Sequence, residues 1–227
     1  MENPEIMPAN QLTKAERERQ NIEQQSRSRI YEIFDKFNTA NERVDDIFNN
    51  LKNILTKMPN SEEIKSELEA LRQIEEKGHF CEKAFTILEQ IIEWRENNLQ
   101  EFEEIRRNDF NEQGDFIELN KMLSYNIDGD SIHIHVPPNV STSNSEKINL
   151  VYDGLKKLAQ IVDQNPAIKT IVGTSWIVAE HPALMTKLHF TLEGKIDETS
   201  RAEHFPAENR EIAVATMSRD ELIKHYL

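Results

Sequence analysis

Along the first half of the chain, apolar side chains recur in alternating steps of four and three. Ile30, Phe34 and Phe37 are followed by a polar Asn41, then by Val44, Phe48, Leu51, Leu55 and Met58. Steps of that kind lay one stripe down a helix, and filling both seam positions of a heptad predicts a helix that packs on another. Ile33, Ile47 and Ile54 widen the stripe beyond a two-stranded seam and favour a bundle or hairpin. Asn41 reads as a buried polar seam residue, of the sort that fixes register at some cost in stability. Pro59-Asn60 interrupts the run, and Asn60 with Glu63 has capping-box spacing for a second helix. That helix carries Ile64, Leu68, Leu71 and Ile74, then Ala84, Phe85, Leu88, Ile91, Ile92, Leu99, Phe102 and Ile105, with Gly78 as a place to bend or break. The expectation is a long antiparallel, coiled-coil-like helical hairpin over residues 12–112, preceded by a flexible 1–11. Each arm would hold about 45 residues and reach about 70 Å. Residues 14–29 have almost no apolar side and predict a solvated helical end.

From residue 113 the pattern changes. Phe116, Leu119 and Leu123 predict one short helix. Asp128-Gly129 is a turn signal before Ser131–Val136, where Ile132, Ile134 and Val136 alternate with Ser131, His133 and His135, a strand pattern. Ser143 and Glu146 form a capping box for a helix with Ile148, Val151, Leu155, Leu158 and Val162 on one face. Residues 168–179 read as a buried strand, bulged at Gly173. A short helix at 182–188, strands at 189–194 and 211–217, and a last helix opened by Ser218 and Glu221 complete the order β-α-β-α-β-β-α. The whole chain is therefore expected to be α+β. Its second half, 113–227, should hold a mixed sheet in which the first two predicted strands are adjacent and parallel.

Composition narrows the function classes. Apolar residues make up 37% and charged residues 30%, a balance that suits long solvated helices. The net charge is −14, the acid excess is present in both halves, and no basic stripe occurs, so nucleic acid and anionic membranes are not expected partners. No apolar run is long enough to span a bilayer. A single cysteine, Cys81, excludes an internal disulfide and points to the cytoplasm.

The stretch HPALMTKLHF at 181–190, with Ser175–Ala179 and the His133–His135 strand, resembles the C-terminal part of GNAT-type acyltransferases. The resemblance extends over roughly residues 115–227 and includes a group of bacterial GNAT-like C-terminal domains. It implies a central strand, a helix, a second strand, a short helix ending in a Leu-Gly-Phe turn, and a last strand. It also implies acetyl-CoA or another acyl-CoA as cofactor if the protein is active. Ser143 and Asn144 are then the candidates to meet the cofactor phosphates, and Trp176 the candidate to line its pocket. Two departures bear on the chemistry. The family's glycine-rich pyrophosphate loop falls on Pro137–Ser145, which contains no glycine, and its tyrosine general acid falls on Met185. The glycine of the Leu-Gly-Phe turn is His189.

Other constellations carry less. His133 and His135 share a strand face, as in some metal sites, but a third ligand would have to come from Glu180, His181, His189 or His204, and no metal is expected. The same two histidines are the catalytic candidates if acyl transfer occurs. Ser175 lacks the second glycine of a nucleophile elbow. The expected function is a divergent acyltransferase-fold protein, non-catalytic or with a rebuilt site and needing no cofactor. Its helical arm would serve oligomerisation or partner docking through residues 30–105. Two alternatives stand beside it: an active acyl-CoA-dependent N-acyltransferase on a small amine or protein, and a purely structural coiled-coil protein.

Overall fold

The computed structural model describes residues 13–137, 141–205 and 210–227. The protein is α+β and divides into two compact units, Met1–Ile105 and Arg106–Leu227. The helical stretch contains α1 (Lys14–Lys36), α2 (Ala40–Leu55), α3 (Ser61–Ala70), a 3-10 turn at Leu71–Gln73, α4 (Lys77–Asn97) and α5 (Leu99–Gln113).

The run expected as one helix over 30–58 is two. Phe37 leaves α1 in extended conformation, and Thr39 opens α2 with a full capping box to Glu42. A second such box, Thr13 with Glu16, opens α1. Arg43 holds the break: its Nε donates to Phe37 O at 3.0 Å and its Nη2 to Asn38 O at 3.2 Å. Its guanidinium lies 3.7 Å from the centre of the Phe34 ring, and the residue is only 5% exposed. Buried arginine in place of buried asparagine is a correction to the expected seam. Asn41 is exposed and accepts from Arg72 at the surface. The periodicity was real, but one turn of it spans a corner.

The second expected arm is also divided. Asn60 makes no cap; its amide donates to Gln90 Oε1 instead. The chain leaves helical geometry at Ile74, and Glu76 restarts it by accepting from the Gly78 and His79 N–H groups. Gly78 therefore sits in a first turn rather than at a bend. Helix α4 runs antiparallel to α1, with Arg19–Glu96 (2.9 Å) at one end and Asp35–Lys77 at the other. Ile30, Val44, Leu55, Ile64, Leu68 and Phe80 belong to the buried cluster at the centre of this unit.

The second unit holds a six-stranded mixed sheet of order β1-β2-β3-β4-β6-β5. Its strands are β1 (Ile117–Asn120), β2 (Leu123–Asp128), β3 (Ser131–His135), β4 (Thr170–Ser175), β5 (Thr191–Lys195) and β6 (Ala213–Ser218). Only β3 and β4 pair in parallel, through the crossover helix α6 (Asn144–Asp163). The short helix expected at 116–123 is a β-hairpin. Phe116, Leu119 and Leu123 mimic helical steps, but Asn120 Oδ1 accepts from Met122 N and Leu123 N and turns the chain. No bulge occurs at Gly173, which stays in register with Ile134 and Ala215; irregularities fall at Glu118/Asn120 and Leu192/Gly194.

One sheet face, with Ile132, Ile171, Ala215 and Met217, packs on α6, on α7 (Trp176–Glu180) and α8 (Pro182–Lys187), and on α10 (Arg219–Tyr226). Helix α9 (Glu198–His204) lies in the stretch expected as a loop. Gly154 lets α6 approach the β1–β2 turn, since a Cβ there would come within 2.7 Å of Leu123 Cδ1. The opposite face carries Ser124, Asn126, His133 and His135, and the last two turns of α5 reach it through Asn111–Ser124 (2.7 Å) and Arg107–Glu118 (3.0 Å). Among the described residues no helix is long and apolar enough to cross a membrane.

Candidate functional site

The sheet opens where its two parallel strands end. β3 and β4 pair from Ser131↔Thr170 to Ile134↔Gly173 and no further. Beyond that point His135 keeps its partner Ser124 on β2, while Thr174 and Ser175 keep Val214 and Ala213 on β6. The carboxyl ends of two adjacent parallel strands are the usual place for a ligand in an open α/β sheet. Pro138, Asn139 and Val140, part of the loop read above for its missing glycines, lie outside the described residues.

At one side of this opening α6 begins, and one N–H of its first turn is capped. Ser143 Oγ accepts from Glu146 N at 3.2 Å, so the predicted cap forms. The Glu146 carboxylate in that first turn takes Lys121 Nζ at 2.8 Å and the Thr142 hydroxyl. Those two bonds hold its pKa below the ordinary carboxylate value. An anion brought here would meet the carboxylate of a Glu146–Lys121 ion pair in the first turn and would have to compete with it for Lys121. Asn144 is exposed as the first residue of α6.

On the other side β4 passes directly into α7, where Ser175 Oγ caps Val178 N at 3.3 Å. Ser175 is thus a cap, and no nucleophilic arrangement surrounds it among the described contacts. Trp176 is half-buried, and the Arg210 guanidinium lies 3.7 Å from the centre of its indole.

His133 and His135 share a face, as the strand pattern predicts, yet their surroundings differ. The His135 ring stacks on Phe116 at 3.9 Å and 18°, with the Phe110 ring edge-on. Its Nε2 lies 3.0 Å from Asn126 Oδ1. Burial, with a smaller contribution from His133, pushes its pKa down to about 4. His135 is therefore a neutral, packed ring at neutral pH and poorly placed to move protons. His133 is half-buried beside Asn126 and Val172. No group of three metal-ligating side chains gathers among the described residues. Of the third ligands considered, His181 is exposed between α7 and α8, Glu180 ends α7, and His189 stacks on His225. The His204 side chain is outside the described residues.

Met185 is buried in the core. Four residues on, His189 has φ +63°, and two hydrogen bonds, His189 N→Thr186 O (3.0 Å) and Phe190 N→Met185 O (2.9 Å), close α8 as a Schellman motif. The left-handed turn was not read from the sequence. The signal for it was present as a polar residue between the apolar Leu188 and Phe190 at a helix end. Nor was Tyr226, whose hydroxyl donates to Leu188 O at 3.0 Å in the interior.

No protein-family model matches the chain, and no curated protein or solved structure matches it either.

Proposed function

We propose that the second unit is a divergent GNAT-type acyltransferase domain that no longer carries out acyl transfer, and that the helical unit serves to dock a partner protein. The observation that carries this reading is the N-terminus of α6, where such a domain would receive the phosphates of its cofactor: Ser143 caps it, and the Glu146 carboxylate in its first turn is engaged by Lys121 and Thr142. Met185, at the general-acid position, has no proton to give and is core. Two features support the likeness itself. The order β3-α6-β4-α7-α8-β5, with β3 and β4 parallel, follows the arrangement that the resemblance implies with one added helix, α7. His189 also holds left-handed geometry at the position of the family's glycine.

The test is calorimetric titration of the full chain with acetyl-CoA and free CoA. A tetra-anionic cofactor at micromolar affinity needs about 8 kcal/mol of binding free energy. The expected outcome is no saturable heat and no rise in melting temperature, because only a ligand of the native state raises stability. A low-micromolar dissociation constant would overturn the reading.

One observation favours active acyl transfer as a second reading: β3 and β4 cease to pair with each other after Ile134 and Gly173, which opens the sheet at their carboxyl ends. In that case His133, not His135, is the group to replace, by Ala and by Asn, with turnover and binding followed separately. For the helical unit, the apolar seam of residues 30–105 is largely consumed inside the unit, leaving Tyr31 and Leu99 as its exposed large hydrophobic residues among those described. Docking then falls to the outer surface, where Arg27, Ile30, Tyr31, Cys81 and Phe85 line a shallow hollow of about 260 Å³. Self-association through the seam would require opening the bundle.

A further inference from the structure

We infer that the face-to-face pair His189–His225 is a pH-sensitive latch that holds the last turn of α10 on the turn closing α8, and lets go when both rings carry a proton. The two imidazoles lie 3.6 Å apart between centroids and only 1° from parallel. Two imidazolium ions at that separation repel, a repulsion absent while either ring is neutral.

The frame around the pair turns this repulsion into a mechanical effect. His189 stands at the left-handed position of the Schellman motif, tied on both sides by the hydrogen bonds to Thr186 O and Met185 O. His225 precedes Tyr226, whose buried hydroxyl is bonded to Leu188 O. Both rings are exposed and neither backbone can retreat without breaking these bonds, so repulsion is relieved by swinging a ring away or by fraying the last turn of α10. Polar non-glycine residues tolerate such a backbone best, and histidine is among them.

The groups around His225 bias it toward losing a proton. On α10, Lys224 disfavours a charged His225 and Glu221 favours it; on the α8 side, Lys187 occupies the last turn. The Tyr226 phenol, edge-on to His189, is held protonated by burial and by Tyr152. Loss of water around the ring, then His189 and Lys224, keep the His225 pKa below the ordinary imidazole value.

Histidine side-chain NMR of the full chain across pH 8 to 4.5 tests the latch in the wild type and in His189→Asn, which keeps a residue tolerant of positive φ. The His225 midpoint is expected to rise by about half to one pH unit in the variant, the shift that a neighbouring charge at this separation produces in water. In the wild type, NOEs between the two rings should fade over the interval in which His225 titrates. An unmoved His225 midpoint, or inter-ring NOEs that persist below it, would overturn the inference. Should His189→Asn not fold, His225→Gln serves instead. Exchange of the Tyr226 and Leu227 amides, taken relative to intrinsic rates, should then stop accelerating between neutral and acid pH, and acceleration equal to that of wild type would count against the latch.

Discussion

At the scale of single residues, His135 shows how surroundings override a motif. A pair of histidines two apart on a strand suggests shared chemistry, but Phe116 lies across one ring and Asn126 takes its Nε2. The ring is kept neutral down to about pH 4, against about 6.5 in an unfolded chain. A histidine whose folded pKa is depressed contributes stability that is full above the unfolded value, declines as pH falls below it, and is gone below the folded value. The loss therefore falls between about pH 6.5 and pH 4, and amounts to about 1–2 kcal/mol once solvent at the exposed part of the ring is allowed for. Urea melts at pH 7 and pH 4.5 check this. His135→Gln, which can still bond Asn126, should lose less stability on acidification than the wild type; an equal loss would show that the ring is not the source.

At the scale of elements, the corner between α1 and α2 decides how the helical unit folds back. Two independent devices make it: the Thr39–Glu42 capping box and the Arg43 side chain, which satisfies the carbonyls of Phe37 and Asn38. Thr39→Ala removes one hydroxyl acceptor and should cost about 1 kcal/mol. Arg43→Met keeps most of the apolar contact with Phe34 but leaves both carbonyls unbonded, so about 2–3 kcal/mol is expected. Guanidinium melts of the two variants distinguish the contributions. If Arg43→Met costs no more than Thr39→Ala, the arginine is a passenger of the corner rather than its support.

At the scale of the molecule, two cores are built from separate residues, one from positions between 30 and 105 and one from positions between 119 and 226. Leu55, fully buried in the first, should cost about 3–5 kcal/mol when cut to alanine, whereas half-buried Phe48 should cost clearly less. Because the clusters share no side chain, hydrogen exchange in Leu55→Ala is expected to quicken in α2 and α4 while β3, β4 and β6 keep their protection. Equal loss of protection in both units would mean that the chain opens as one body.

Much of this organisation was legible in the order of residues. The change from steps of three and four to alternation marked β3, though not β1 and β2 before it. The caps at Ser143 and Ser218 and the parallel β3–β4 pair follow from local spacing and the length of the crossover. Capping and amphipathic periodicity act within one turn of chain, and so a sequence displays them directly. What only the tertiary structure decided involves partners far apart in sequence. Apolar steps could not tell a straight helix from two helices meeting at a corner, because the corner rests on Arg43 filling space beside Phe34 and Phe80. Nor could they tell a short helix from the β1–β2 hairpin, whose second strand is held by pairing with β3. The burial of His135 under Phe116 and the meeting of His189 with His225 arise the same way. Packing brings residues from separate elements together, and the free energy of burial has no sequence period of its own.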